Sequence, residues 1–350
     1  MQIDKLFYQL IEQRGSDLHL EQGQKPKIRL HGKLVSLNEP VLTDAYLLEI
    51  LEEIASPEAW RRYMDMGDLD FAYALADQAR FRANYFRQYN GYGAIFRIIP
   101  SKILTLEELG MPLVLKNFSG LRSGLVLITG PTGSGKSTTL AAVMDHINEN
   151  FSKKIVTIEE PVEFIHPKKK CIISHREVGL DTDSFASGLR GAIKSDVDII
   201  LVGEMRDPET IMLALTAAQM GILVFGTLHT NSAAKTVDRI IDVFPAKQKA
   251  QIRTVLANTL EGVVSQQLLP AIGGKGRFCS YEILLRTTAL PAIIMQGETL
   301  KLTSEIQLNR QMGMIGMDDC LLQLVKGGKV SLEDAYLKAL DKEDFLKAAK

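Results

Sequence analysis

Gly130-Pro-Thr-Gly-Ser-Gly-Lys136-Ser137 is a stretch whose residue types and spacing state a chemistry. It fits G-x-x-x-x-G-K-[ST], the phosphate-binding P-loop. Its glycines let the backbone curl so that several N–H groups converge on phosphate oxygens, and a helix beginning there adds the positive end of its dipole. Gly130, Thr132, Gly133, Ser134, Gly135, Lys136, Ser137 and Thr138 are the expected contacts of a bound nucleoside triphosphate. Lys136 can reach the β- and γ-phosphates, and the Ser137 hydroxyl can ligate Mg²⁺.

Three further groups could act on such a ligand. Glu159-Glu160-Pro-Val-Glu163 places three carboxylates just past an apolar run, where they could ligate Mg²⁺ or orient water. Glu204 follows Val197-Asp-Ile-Ile-Leu-Val202 and Gly203, a Walker B pattern with glutamate in the acidic position. Its carboxylate reads as a water-activating base or as a metal partner one water removed. His229 ends Ile222-Leu-Val-Phe-Gly-Thr-Leu and could sense the γ-phosphate, although a lone histidine is as readily structural.

Arg80 and Arg82 share one face of a strand by period two, and Arg97 lies on the next strand. On a bare sheet face they are solvated charges. Offered to a nucleotide on a neighbouring subunit, they would neutralise transition-state charge. Residue types alone leave both readings open.

The elements that must position these groups can also be read. Leu125-Val-Leu-Ile128, Lys154-Ile-Val-Thr-Ile158, Val197–Val202 and Ile222–Phe225 are short apolar runs, and helical patterns lie between them. This alternation predicts an α/β domain with a doubly wound parallel sheet over 122–350, mainly helical past Phe244-Pro245 apart from one strand near Arg277–Leu285, with a C-terminal helical region from about residue 287. Such sheets bind ligands at the carboxyl ends of their strands. Residues 1–99 predict a small α+β domain with a largely antiparallel sheet, including a hairpin that turns at His31-Gly32. Thr43 and Ser56-Pro57 are expected helix caps. Residues 100–121 form the expected join, with a short helix closed by Gly110 and Pro112.

Composition narrows the partners. A net charge of −1 supplies no global basic field, so a nucleic-acid partner is not expected. Three scattered cysteines without a C-x-x-C pair predict neither a zinc module nor a disulfide framework, and they suit the reducing cytosol. Met1-Gln-Ile-Asp-Lys5 has no secretory apolar core, and no apolar run approaches the ~18 residues of a membrane span, so direct membrane insertion is not expected.

Taken together, these motifs resemble the PilT family of type IV pilus retraction ATPases, within the secretion-ATPase superfamily. The resemblance runs nearly end to end. It covers Gly15-Ser-Asp-Leu-His-Leu20, Arg80-Phe-Arg82 with Phe96-Arg97, the P-loop, and Thr157–Glu163, which is similar to the family's Asp box. It also covers Arg176–Thr182, the run to Gly203-Glu-Met-Arg-Asp207, and Gly226-Thr-Leu-His-Thr-Asn231 with Val237–Pro245, from the His box.

The resemblance implies a PAS-like N-terminal domain, a RecA-like ATPase domain, ATP and Mg²⁺ at their junction, and a hexameric ring. The ring would work on an inner-membrane platform protein, from the cytoplasmic face. Arg82 and Arg97 match arginines expected near the γ-phosphate. Three departures stand out. Glu160 replaces the usual aspartate, and Met220-Gly-Ile222 replaces Thr-Gly-His. Ala292-Ile-Ile-Met-Gln-Gly-Glu-Thr299 replaces A-I-R-N-L-I-R-E and lacks both arginines. This last change keeps open a PilU-like accessory ring acting beside a paralogous pilus ATPase, or a motor of a related pilus or secretion system.

Overall fold

The computed structural model describes residues 1–30, 33–76, 78–99, 102–274 and 276–349. The expected turn at His31-Gly32 and the expected start of the join at Pro100 lie outside the described residues. The chain separates into two units, Met1–Lys102 with Glu160–Ile165, and Ile103–Glu159 with His166–Lys350. The segment 160–165 thus groups with residues far upstream in the chain, where Arg80 Nη2 donates to Val162 O at 3.2 Å.

The first unit opens with α1 (Asp4–Glu12), then β1 (Asp17–Glu21), β2 (Lys27–Leu30) and β3 (Lys33–Ser36). Helices α2 (Asp44–Glu52) and α3 (Pro57–Met66) precede β4 (Asp68–Leu75), β5 (Ala79–Gln88) and β6 (Gly91–Ile99). The Thr43 side chain accepts from Tyr46 N, and Ser56 accepts from Ala59 N, so both expected caps form. Gly67, in the left-handed region at φ 85°, ends α3. Among the described residues the strands form a six-stranded antiparallel sheet, in the order β3-β2-β1-β6-β5-β4. Alternate residues of β5 (Phe81, Ala83, Tyr85) are buried. Phe7 of α1 stacks on Phe81 with centroids 4.3 Å apart and meets Phe96 edge-on at 5.0 Å. The opposite face of β5 carries Arg80 and Arg82.

In the second unit, β7 (Gly124–Thr129) leads through the P-loop into α4 (Lys136–Asn150). Then come β8 (Lys154–Glu159), β9 (Ile172–Glu177), α5 (Phe185–Ile193), β10 (Ile199–Val202), α6 (Pro208–Gln219), β11 (Leu223–Leu228) and α7 (Ala233–Asp242). Helix α8 (Ala246–Thr259) precedes β12 (Leu260–Pro270) and β13 (Arg277–Leu285). The chain continues through α9 (Leu290–Gln296), α10 (Lys301–Leu308), α11 (Met317–Lys326), α12 (Leu332–Lys338) and α13 (Lys342–Ala349).

The sheet order is β13-β12-β7-β11-β10-β8-β9, with every pair parallel except β12·β13. The apolar runs are continuous because both faces are covered. Leu125 and Leu127 of β7 face one core with Ile211, Val237 and Leu256, whereas Val126 and Ile128 face the other with Leu140, Val143 and Phe118. Beta strands 10 and 11 divide between the two cores in the same way. Burial on both faces stabilises the strands by about 25 cal/mol per Å² of apolar surface removed from water.

Apart from β9, which no apolar run announced, two elements differ from expectation. Leu260–Pro270, expected as helix, is a strand with nearly every residue buried. The helix expected over 106–112 is a single turn. Thr105 and Glu108 bond reciprocally, Thr105 N to Glu108 Oε2 at 2.8 Å and Glu108 N to Thr105 Oγ1 at 3.1 Å, which starts a turn. Gly110, at φ 66°, stops it at once, with Met111 N donating to Leu106 O. A 3-10 helix, Leu113–Gly120, follows. Among the described residues no helix is long and apolar enough to cross a membrane.

Candidate active site

Strand register builds the site's edge in the second unit. Val202 of β10 pairs with Ile158 of β8 and Gly226 of β11, and Leu228 of β11 pairs with Thr129 of β7. Parallel strands end together, so the residues leaving them emerge side by side: the P-loop after Thr129, Glu159, Gly203-Glu204 and His229. This is the carboxyl edge where open α/β sheets bind ligands.

The P-loop geometry fits an anion. Gly130 (φ 145°), Gly133 (φ 78°) and Gly135 (φ 91°) take left-handed backbone. A Cβ at Gly130 would lie 2.2 Å from Gln266 O and 2.5 Å from Ser134 Oγ. Ser134 Oγ is buried and, among the described residues, makes no hydrogen bond. A buried hydroxyl left without a partner in the P-loop is what a phosphate oxygen would satisfy. No side chain caps the N-terminus of α4, and no acidic residue lies in its first turn. Lys136 Nζ folds back to donate to Gly130 O (2.8 Å) and Pro131 O (3.2 Å). Thr132 and Ser137 are exposed, and Thr138 is half-buried.

These features carry a direct expectation. Gly130→Ala must strain φ or push on the β12 backbone, and should cost about 1–3 kcal/mol of stability. Thermal unfolding of the variant checks this.

The residues also suit Mg²⁺. Among the described residues no three His, Cys, Asp or Glu side chains gather into a metal cage. Mg²⁺ beside phosphates needs only one or two protein ligands, the rest being phosphate and water, and the Ser137 hydroxyl with the Glu204 carboxylate matches that need.

The edge brings Glu204 and His229 together. His229 Nε2 lies 2.8 Å from Glu204 Oε1, and Arg206 Nη2 donates to Glu204 Oε2 at 2.6 Å, while Arg206 Nε also bonds Glu204 Oε1. The Glu204 side chain is 17% exposed, so the carboxylate is largely shielded from water. Burial alone pushes its pKa up. The bonds to Arg206 and the charge of His229 outweigh burial and hold it below the usual glutamate value. Arg206 stands within Gly203-Glu-Met-Arg-Asp207 but is given no role by sequence, although it lies only two residues beyond Glu204. Glu159, at the end of β8, lies 3.8 Å from His175 Nδ1.

The other expected residues lie in the first unit. Glu160 is exposed and Glu163 half-buried, both in the 160–165 segment. Neither makes a side-chain hydrogen bond or ion pair among the described residues. Arg82 and Arg97 are direct partners across β5 and β6, hence on one face. Like charges so placed repel. Two aspartates offset this: Arg82 Nε lies 3.7 Å from Asp70, and Arg97 Nε donates to Asp17 Oδ1 at 2.8 Å. Asp17 is 4% exposed and also faces Arg29, with Nε at 3.8 Å from Oδ2. Sequence inspection did not single out Asp17, because its partner lies eighty residues away.

Burial raises the Asp17 carboxyl, but Ser16 and Arg97 together bring it below its usual value. A carboxyl held lower in the folded chain contributes stability above its unfolded pKa, and this is lost as pH falls through the folded one. Asp17→Asn should therefore cost about 1–2 kcal/mol at neutral pH, and less than that in acid. Denaturant unfolding at the two pH values tests both halves.

Residues 1–333 match the family described as Type II/IV secretion system protein. The chain is 48% identical over 345 residues to the type IV pilus retraction ATPase PilT of Pseudomonas aeruginosa, covering 99% of this chain and all of that protein. It is 36% identical over 345 residues to the type IV pilus ATPase PilU of the same organism, covering 99% of this chain and 90% of the relative. A crystal structure of the pilus retraction motor PilT with bound ADP superposes with a TM-score of 0.90 at 40% identity, covering 98% of each chain.

Proposed function

From the premise that this chain belongs to the type II/IV secretion system protein family, in the branch of PilT retraction ATPases, we infer a motor that hydrolyses ATP to retract a pilus. The observation that carries the reading is the Glu204–His229 pair, 2.8 Å apart, at the same sheet edge as the P-loop.

In this reading the P-loop N–H groups and the N-terminus of α4 hold the β-phosphate. Lys136 leaves the carbonyls of Gly130 and Pro131 for phosphate oxygens, and Thr132, Ser134 and Thr138 complete the cradle. Ser137 and Glu204 would hold Mg²⁺, which would supply charge neutralisation for the phosphates. Glu204 is ionised, so it can accept the proton of the attacking water, and His229 orients it. Glu160 and Glu163 stand as further carboxylates for metal and water. Arg82 and Arg97 are assigned as fingers supplied by a neighbouring subunit, which neutralise charge that develops as the γ-phosphate departs. This calls for a closed ring, and six subunits is the proposed number.

The N-terminal unit, with its antiparallel sheet, is proposed as the PAS-like domain and the second as the RecA-like one, with residues near 100–121 joining them. The proposed setting is the cytoplasmic face of the inner membrane, against a platform protein, with no nucleic acid.

A second reading has one specific support. In the segment Ala292–Thr299, Ala292–Gln296 form the end of α9 and Gly297–Thr299 follow it, with Ile293 and Ile294 buried and no arginine present. On that reading the ring assists a paralogous motor. The higher identity to PilT than to PilU favours the first reading. Expression of this chain alone in piliated cells deprived of their retraction ATPases separates the two. Restored twitching supports the autonomous motor. Twitching restored only when a second pilus ATPase is co-expressed supports the accessory ring.

A further inference from the structure

A line of hydroxyls runs beneath the proposed site, and the chemistry above does not use it. Thr129, the last residue before the P-loop, lies 2.8 Å (Oγ1 to Oγ) from Ser265 of β12. Thr236 Oγ1, on α7, is 3.5 Å from Thr129 Oγ1 and 2.7 Å from Thr230 Oγ1. Thr230 follows His229 directly. Thr129, Thr236 and Ser265 are completely buried.

Each hydroxyl has one proton to give and two lone pairs to accept with. Thr236 gives its one proton to Ser232 O at 2.7 Å and accepts from Thr230, tying the α7 N-cap to the His229 loop, while its 3.5 Å approach to Thr129 is the long link to the P-loop strand. The far end is anchored as well. Gln266, next to Ser265, donates from Nε2 to Thr139 Oγ1 of α4 at 2.9 Å, and its carbonyl is the atom that excludes a side chain at Gly130.

We propose that Thr230, Thr236, Thr129 and Ser265 form a positioning chain that fixes His229, and through it Glu204, relative to the P-loop. The proposal rests on the ATPase reading and extends it. The first reason is geometric. His229 is 45% exposed at its side chain, so neighbouring packing does little to hold it, and its loop is anchored through Thr230. The second is chemical. Buried hydroxyl chains polarise one another and have few alternative arrangements, so a shift at one end is felt at the other. Phosphate arriving at the P-loop would act on Thr129 from one residue away. Thr236 and Ser265 are therefore positioning residues, acting on the reaction through His229.

The test compares Thr236→Val, which keeps the shape and removes the hydroxyl, with Thr236→Ser, which restores it. Steady-state hydrolysis is measured alongside affinity for a fluorescent ATP analogue. The expected result is a drop in kcat of about tenfold in Thr236→Val, with affinity changed by less than about twofold and Thr236→Ser near the parent. In a His229→Ala background the same Thr236→Val change should add almost nothing, because the two act as one unit.

Wild-type kcat in Thr236→Val overturns the proposal, and so does a full independent effect on top of His229→Ala. Should Thr236→Val not fold, Ser265→Ala makes a smaller cut at the other end and is held to the same criteria. An unsubstituted protein that binds the analogue but hydrolyses no ATP would overturn the ATPase reading itself, a result distinct from an active enzyme indifferent to Thr236.

Discussion

Glu204→Gln is expected to lower ATP turnover by roughly 10²–10⁴-fold while leaving ATP binding intact. The substitution keeps size and hydrogen-bonding capacity and removes the proton-accepting charge. Phosphate binding belongs to the P-loop, where Lys136 and the backbone N–H groups do not depend on Glu204. The pH profile gives a second check. Arg206 and His229 hold the Glu204 carboxyl below the usual value of 4.5 despite its burial. Titration of this group should then leave kcat level down to about pH 5, with any loss from this source only in stronger acid. Near-normal hydrolysis in the glutamine variant would transfer the base to another carboxylate, with Glu163 the first candidate.

Arg97→Ala should lower turnover by about 10³-fold if the arginine serves as a finger. Its folding cost should be small, because the Arg97 side chain is 68% exposed and its main contact is one carboxylate. The partner effect is less trivial. Asp17 is left with Ser16 and Arg29, and its buried charge is then less well compensated. Arg97→Lys is therefore the informative companion, since it keeps the charge on Asp17 but loses the planar fork. A lysine variant that folds like the parent yet turns over slowly supports a finger. An alanine variant with full activity at every protein concentration leaves Arg97 as a solvated charge paired with Asp17.

The α/β architecture was legible because β7, β8, β10 and β11 are short apolar runs bounded by polar residues, and a sheet covered on both faces demands just such runs. The P-loop, Glu204 and His229 could be placed for the same reason, as each is the first polar group past a strand. Strand β12 was not legible. Its Ser265, Gln266 and Gln267 are buried polar residues whose side chains bond Thr129, Thr139 and the Lys338 carbonyl, all distant in sequence. A local pattern cannot show that a buried glutamine has a partner on another element. Asp17 was overlooked likewise, since its value comes from Arg97 across β1 and β6. The carboxylates at 159, 160 and 163 read as one cluster, yet Glu159 belongs to the second unit and the other two group with the first. Contiguity in sequence said nothing about which unit a short segment packs with.

The most direct test of the central claim is steady-state ATP hydrolysis by the purified protein with Mg²⁺, followed as its concentration is raised through the range of ring assembly. Sites completed by a neighbour's arginines predict specific activity that climbs with assembly and then levels off. Specific activity independent of concentration, in a protein that is monomeric at the low end and assembled at the high end, would mean that each subunit hydrolyses alone, and would contradict a motor built on shared sites.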